Sequence, residues 1–261
     1  ILRKLYDPNK PQFNIKEIVW IDIDQFYGIE IEEWPARISE VAMWLIDHQM
    51  NMKISEEFGE YFVRLPLKKT ANIINKNALR INWEDIVPQE QLSYILGNPP
   101  FSGKHLQDEE QKKDMDNIFN GVKGSGVLDY VTCWYIKAAQ YILNTKIKVA
   151  FVSTNSISQG EQVGVLWHEL FSKYKIKIHF AHRTFKWFNE ARGKAAVHVV
   201  IIGFANYDIK EKYLFEYDDI KSEPHVRKVN NISPYLVESS DLIITKKKTP
   251  ICKIKKMQWG N

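Results

Sequence analysis

The chain has 261 residues, a net charge of +4, 44% hydrophobic residues and 8 Trp. That length suits one large α/β domain with a full core, and no apolar run approaches the roughly 20 residues of a membrane span. The two cysteines, Cys133 and Cys252, supply neither a disulfide framework nor a metal pattern; a reducing cytoplasm is the default location, and the mild positive charge permits a nucleic-acid partner without demanding one.

Ile1 to Tyr6 reads as the tail of a helix stopped by Asp7-Pro8, with no cap or turn residue ahead of it, which predicts a chain cut from a larger one. Val19 to Asp24 predicts a short strand. Phe26 to Ile31 predicts a buried strand with Glu30 near its carboxyl end, followed by Glu32-Glu33-Trp34-Pro35. Acidic residues and proline suit the first turn of a helix. That helix is predicted to run to about Met50, with Ile38, Val41, Ala42, Leu45 and Gln49 on one face and Trp44 beside them. Strand, acid, helix is the arrangement in which a carboxylate accepts both hydroxyls of a ribose. Taken alone, Glu30 reads better as a helix-start charge, and its ribose reading depends on the turn further on. Tyr61 to Leu65 predicts an edge strand, and Ala78 to Ile81 a short strand ending in Asn82-Trp83. Asn82 can hydrogen-bond a nucleobase while Trp83 packs on it; equally, Asn82 can cap a turn ahead of a core tryptophan.

The chain is organised around Ile95-Leu96-Gly97-Asn98-Pro99-Pro100-Phe101. Leu92 to Leu96 predicts a short buried strand that runs into the turn. Asn98 precedes a proline and is pushed toward extended geometry. Pro99 and Pro100 have fixed φ and no N–H, so the turn offers carbonyl acceptors and few donors. The Asn98 side chain adds an amide oxygen that accepts two hydrogen bonds, and Phe101 adds a flat apolar face. Such a site suits a planar group carrying an NH2. Its place beyond the carboxyl end of a strand is where open α/β sheets bind ligands; the plainer reading is an ordinary proline loop.

Residues 103–126 read as an exposed, mobile loop with a helical turn between His105 and Phe119. Gly124-Ser125-Gly126 does not directly follow a strand and reads as a linker rather than a phosphate loop; Glu110-Gln111-Lys112 reads as a solvated helix face rather than part of a nuclease motif. Asp129 to Leu143 predicts a helix, Ile147 to Val152 a buried strand ending in Ser153-Thr154-Asn155, Gln162 to Tyr174 a helix, and Ile176 to Ala181 a strand. Thr184 to Asn189 and then Ala195 to Phe204 predict a closing antiparallel hairpin with an aromatic loop at its tip. Phe185, Trp187 and Phe188, interleaved with Lys186 and near Arg183 and Arg192, suit stacking on a base beside phosphates, although one or two of these rings can simply be core. Beyond residue 206 order is expected to decline, apart from a strand from Tyr213 to Tyr217. Lys246, Lys247, Lys248, Lys253, Lys255 and Lys256 read as a solvated linker able to graze DNA phosphates.

Together these residues resemble the class I S-adenosylmethionine-dependent DNA methyltransferases that act on the N6 amine of adenine, and more closely the methyltransferase part of large single-chain restriction–methylation enzymes. The pieces that carry the resemblance are Tyr27 to Ile31 with the helix ending His48-Gln49-Met50-Asn51, then Ala78 to Asp85, Gly97 to Lys104, and Thr184 to Phe204. It implies a Rossmann-like α/β sheet with helices on both faces and a closing antiparallel hairpin. It implies that Glu30 holds the cofactor ribose, that Ile31 packs on its adenine, and that Asn82 and Trp83 contact that adenine. The family usually has Asp where Asn82 stands. Asn98, Pro99, Pro100 and Phe101 are assigned to the target base, with Phe185 or Trp187 on its far side. The partner implied is double-stranded DNA from which the target adenine is flipped.

The family's glycine-rich cofactor loop and first strand should lie before Glu30, and no such stretch stands there or after Phe204. The expectation is therefore a truncated catalytic domain over 1–205 and an extension over 206–261 toward a target-recognition domain. The strands ending at Ile31 and Leu96 should each lack a neighbour, to be replaced by a second copy's strand, by Val19 to Asp24, or imperfectly. Such a fragment is expected to be inactive by itself. The competing readings are methylation of RNA or of a protein glutamine, and a non-catalytic DNA-binding module.

Overall fold

The computed structural model describes residues 19–59, 61–62, 69–187, 197–219 and 222–245. The expectations for Ile1 to Tyr6, Phe188, Arg192, Cys252 and the lysines from 246 onward lie outside these residues. The chain divides into two units, Ile1–Val87 and Pro88–Asn261. No helix among the described residues is long and apolar enough to cross a membrane.

In the first unit, strand β1 (Tyr27–Glu30) leads through helix α1 (Glu33–Phe58) to strand β2 (Asn72–Asn75). The two strands pair in parallel, from Tyr27 opposite Asn72 to Glu30 opposite Asn75. Val19 to Asp24 is not the predicted strand. Asp22 opens a single 3-10 turn, Ile23–Gln25, whose capping box uses the amides a strand would need. Lys69 braces it by pairing with Asp22 and Asp24, each at 2.8 Å. Ala78 to Arg80 is likewise a turn and not a strand: the Asn77 side chain accepts the Leu79 N–H at 2.9 Å, and the Asn77 carbonyl accepts the Arg80 N–H at 3.1 Å. Tyr61 and Phe62 are irregular, and residues 63–65 lie outside the described chain.

Helix α1 continues past Met50 because no breaker intervenes before Gly59, whose φ of +66° is left-handed. Its predicted apolar face is present but uncovered among the described residues: Ile38, Val41 and Leu45 are 59%, 53% and 57% exposed. The buried residues of α1 are Ala36 and Asn51, the latter donating to Asp47 at 2.9 Å.

The second unit is built on six strands: β3 (Tyr94–Gly97), β4 (Lys148–Thr154), β5 (Lys177–Trp187), β6 (Val197–Ala205), β7 (Lys212–Glu216) and β8 (His225–Val229). Their order is β3-β4-β6-β5-β7-β8. Strand β3 is parallel to β4, β6 is antiparallel to both β4 and β5, β7 is parallel to β5, and β8 closes antiparallel on β7. This mixed α/β sheet, with β5 and β6 as its antiparallel hairpin, is the architecture the resemblance implies. Strands β1 and β3 are less buried than predicted: Tyr27, Tyr94 and Leu96 are exposed among the described residues. Beyond residue 205 the sheet continues through β7 and β8, of which β8 was not foreseen.

Helices α2 (Glu109–Ile118), α3 (Thr132–Tyr141) and α4 (Gly160–Ser172) complete the unit. The core forms where α3 and α4 meet β4 and β6. The Tyr135 ring stacks on Phe204 at 5.4 Å and meets the edges of Phe151 at 5.4 Å and Trp167 at 6.3 Å. Burying the Tyr135 hydroxyl without a partner would cost stability, and Ser153 Oγ satisfies it at 2.7 Å. Burial pushes both the Tyr135 phenol and the Cys133 thiol well up, so neither ionises in the core.

A second aromatic cluster lies on β5 and β7. His182 stacks on Phe215 at 4.0 Å and its Nδ1 lies 2.8 Å from the Tyr217 hydroxyl, while Phe185 stacks on Tyr217 at 5.2 Å. Strict alternation would put residues 182 and 185 on opposite faces; a register shift between them brings both rings into one cluster. Phe180 covers Gly203, where a Cβ would fall 2.0 Å from the ring. At the β7 end, Lys212 is buried and pairs with Asp208 and Asn231, each at 2.8 Å. Truncating it would leave Asp208 without its partner.

Burial holds the His179 and His182 imidazoles below their usual range. The folded state therefore favours the neutral rings, and the unfolded chain binds protons first as pH falls. Stability should be full above about pH 6.5 and decline below it. His182→Phe keeps the stack on Phe215 and removes one titrating group. Its melting temperature should fall less steeply between about pH 7 and pH 5.5 than that of the wild type; identical slopes would show that His182 does not contribute.

Candidate active site

Strand β3 delivers Gly97 directly into Asn98-Pro99-Pro100-Phe101. Gly97 pairs with Phe151 of β4, and a Cβ at Gly97 would lie 3.1 Å from the Phe151 ring. Glycine is thus the residue that lets the turn start flush against β4. Pro99 is buried, Asn98 and Pro100 are exposed, and Phe101 is half-buried. Among the described residues, neither the Asn98 side-chain oxygen nor the Pro99 carbonyl accepts a hydrogen bond. The turn presents two free acceptors beside an aromatic ring, in a stretch whose prolines remove competing donors.

The chain leaving the turn is held. Tyr130 N–H donates to the Ser102 carbonyl at 2.8 Å, and Leu106 N–H closes a turn on Gly103 at 2.8 Å. Gln107 Nε2 donates to the Leu128 carbonyl at 3.1 Å, and Asp108 opens α2 with a capping box. The predicted mobile loop therefore contains a capped three-turn helix, and Gly124 (φ +84°) leads into a 3-10 turn, Ser125–Val127.

Strands β3, β4 and β5 run in one direction, so Asn98–Phe101 and the end of β5 emerge at the same end of the sheet. Val199 of β6 pairs with Thr154 on one side and Phe185 on the other, which sets Phe185 about 10 Å from Thr154, two strand spacings away. Thr184 to Trp187 belong to β5 rather than to the hairpin loop, because β5 keeps pairing with β6 as far as Trp187 opposite Val197. The half-buried Phe185 ring stacks on Tyr217 at 5.2 Å.

In the first unit, Glu30 ends β1. Its Oε1 accepts the Glu32 N–H at 3.2 Å, and Oε2 has no partner among the described residues. Ile31 beside it is 60% exposed. Asn75, which the sequence did not single out, fixes this corner by donating to the Glu30 carbonyl at 3.1 Å and the Ile31 carbonyl at 2.8 Å. Asn82 caps a 3-10 turn: its Oδ1 accepts the Glu84 N–H at 3.3 Å and its Nδ2 donates to Asp85 at 3.1 Å. Trp83 is buried with its indole N–H on the Ala78 carbonyl at 2.9 Å. Locally, these two residues have the geometry of a cap and a core tryptophan.

An open cavity of about 640 Å³, lined in part by Gln89, Tyr94, Asn144 and Lys148, lies at the amino-terminal end of β3 and β4, away from Asn98. The acceptor turn, not this cavity, carries the site.

A strand that ends in an acceptor-rich Asn-Pro-Pro-Phe turn, on a sheet closed by an antiparallel hairpin, points to a methyltransferase domain. Residues 2–216 match the family model described as MmeI, DNA-methyltransferase domain, and the chain belongs to that family. It is 42% identical over 246 residues to DNA methyltransferase A of Bacillus subtilis (strain 168), covering 92% of this chain and 27% of that protein. The solved structure of the type IIL restriction-modification enzyme MmeI in complex with DNA is similar with a TM-score of 0.88 and 53% identity, over 97% of this chain and 34% of that one. The chain thus spans about a third or less of the length of these relatives.

Gly97→Ala forces the Phe151 ring or the turn to move by a few tenths of an ångström. In the full-length enzyme it should cost about 1–3 kcal/mol of stability and roughly tenfold or more in methyl transfer. Thermal melts and initial rates check this; wild-type values in both would show that the turn does not depend on close contact with β4.

Proposed function

We propose that the protein containing this chain transfers a methyl group from S-adenosylmethionine to the N6 amine of an adenine extruded from double-stranded DNA, as the modification activity of a restriction–modification enzyme. One observation carries the reading: among the described residues, Asn98 Oδ1 and the Pro99 carbonyl stand unpartnered at the end of β3, next to Phe101 in the chain. The lone pair of an aromatic amine is delocalised into its ring. Two acceptors that take its two hydrogens draw them out of the ring plane and localise the lone pair on the nitrogen, aimed at an electrophilic methyl. Direct in-line transfer then becomes possible, and the residues act by position and electrostatics rather than by covalent attack. The amine lies inside a duplex, so the base must first leave the stack. Phe101 is then assigned to one face of the base, and Phe185 or Trp187 to the other.

S-adenosylmethionine, when bound, supplies the electrophilic methyl on its sulfonium. Glu30 suits the ribose, since its free Oε2 and braced Oε1 form a fixed acceptor at a strand end. Ile31 offers an exposed apolar surface to the adenine, while Asn82 and Trp83, here a turn cap and a buried ring, are given to that adenine by the family resemblance. These residues fit the nucleoside half of the donor. Strand β1 is paired along one edge only, by β2, and β3 along one edge only, by β4, among the described residues. Two open edges admit a further strand, from elsewhere in the protein or from a second copy. Residues 1–261 assayed alone should therefore transfer no measurable methyl.

The test is methyl incorporation by the full-length enzyme into DNA, RNA and protein, with nucleoside analysis of the product. N6-methyladenine in DNA is expected. Asn98→Ala should lower turnover by at least about 100-fold, with donor affinity changed less than about threefold. A methylated cytosine, RNA or protein product, or near-normal turnover by Asn98→Ala, would overturn the assignment.

A further inference from the structure

We infer that Asp129 is a positioning residue for the Asn-Pro-Pro-Phe turn, tying the chain just beyond Phe101 to the end of β4. The inference rests on the methyl-transfer reading above for its activity readout, but not on the identity of the methylated base. In the sequence Asp129 is only the first residue of a predicted helix. In the fold it is a buried carboxylate at a junction of four segments.

Its Oδ2 accepts Ser156 Oγ at 2.5 Å and Thr154 Oγ1 at 3.2 Å, while the two hydroxyl oxygens lie 2.8 Å apart. Two hydroxyl protons serve three oxygens in this triangle: Ser156 donates to the carboxylate, and the Thr154 proton is shared between Ser156 and Asp129. The backbone of Asp129 is engaged as fully. Its N–H donates to Gln162 Oε1 of α4 at 3.1 Å, and its carbonyl accepts Thr132 Oγ1 at 2.6 Å and the Thr132 N–H at 3.0 Å, at the start of α3. The next residue, Tyr130, donates its N–H to the Ser102 carbonyl at 2.8 Å. Asp129 Oδ1 itself faces Gly103, 3.6 Å from where a Cβ would stand.

The turn is therefore tied to β4 twice. Before it, β3 pairs with β4 up to Gly97 opposite Phe151. After it, Ser102 is held through Tyr130 and Asp129 to Thr154 and Ser156. Because β3 has only β4 as a neighbour among the described residues, this second tie holds the far side of the turn, with a longer bond of 3.5 Å from Gln107 Nε2 to the same Ser102 carbonyl. Without the carboxylate the Ser102–Gly103 segment and the Pro99 carbonyl lose their fixed distance from the sheet. Misplacement of reacting groups by about 1 Å costs on the order of 100-fold in rate.

The experiment compares full-length Asp129→Ala, Asp129→Asn and Ser156→Ala enzymes with wild type in kcat, KM for DNA, donor affinity and melting temperature. Asp129→Ala should lower kcat about 10- to 100-fold, with donor affinity within about threefold. Asp129→Asn keeps an acceptor oxygen for both hydroxyls and should recover kcat to within about fivefold of wild type. Ser156→Ala, which leaves the carboxylate in place with the Thr154 hydroxyl, should lower kcat severalfold, more than its smaller loss of melting temperature accounts for. Three results would overturn the inference: unchanged kcat in Asp129→Ala, an Asp129→Asn enzyme as impaired as Asp129→Ala, or losses in kcat that only track losses in melting temperature. If wild type methylates a group other than adenine N6, the proposed substrate falls while this comparison still reads out the tie.

Discussion

The contact between Gly97 and the Phe151 ring is the constraint on which the candidate site depends. A parallel strand pair has evenly spaced but slanted bonds and no turn to lock its register. Here a glycine lies opposite an aromatic ring that a Cβ would approach to 3.1 Å, and that ring is itself packed against Tyr135 and Phe204. The buried Tyr135–Phe151–Phe204–Trp167 cluster thus does more than stabilise the fold. It sets the height at which β3 stops and Asn98 begins.

The turn beyond Gly97 inverts the rule that governs the core. The core satisfies its polar groups, as Tyr135 with Ser153 and Trp167 with the Ile157 carbonyl show. The turn instead leaves an amide oxygen and a carbonyl without donors among the described residues. The exposed Asn98 amide oxygen costs little while water can reach it, and it becomes specific once a planar amine replaces that water. Prolines flanking these acceptors are what keep the backbone from satisfying itself. The same logic explains why the neighbouring chain is tied down elsewhere: a turn with few internal hydrogen bonds among the described residues depends on its attachments to β4 and to the segment that follows it.

Much of this was legible in the sequence, and the failures have physical causes. Strands β3, β4 and β6 and helix α4 were readable because continuous apolar runs or a clear helical period bounded by turn residues identify them. The Asn-Pro-Pro-Phe turn was readable because proline restricts backbone so strongly. Val19 to Asp24 and Ala78 to Ile81 misled because side-chain caps from Asp22 and Asn77 captured amides that β propensity would have directed into pairing. The end of β5 was placed in a loop because a register shift breaks the alternation between His182 and Phe185. Strand β8 was missed because its residues are mostly exposed and charged; Arg227 pairs with Glu216 and Glu238, and Lys228 with Glu211, so ion pairs rather than an apolar face mark it. Asp129 carried no local signal, since its side-chain partners Thr154 and Ser156 lie 25 and 27 residues away in sequence.

The most direct measurement is a structure of the full-length enzyme with its target duplex and a non-transferring analogue of the methyl donor. The expected result is an extruded adenine whose N6 lies about 2.7–3.2 Å from both Asn98 Oδ1 and the Pro99 carbonyl, with Phe101 against its ring. An adenine still stacked in the duplex, or one whose amine contacts neither of these acceptors, would contradict the proposed chemistry.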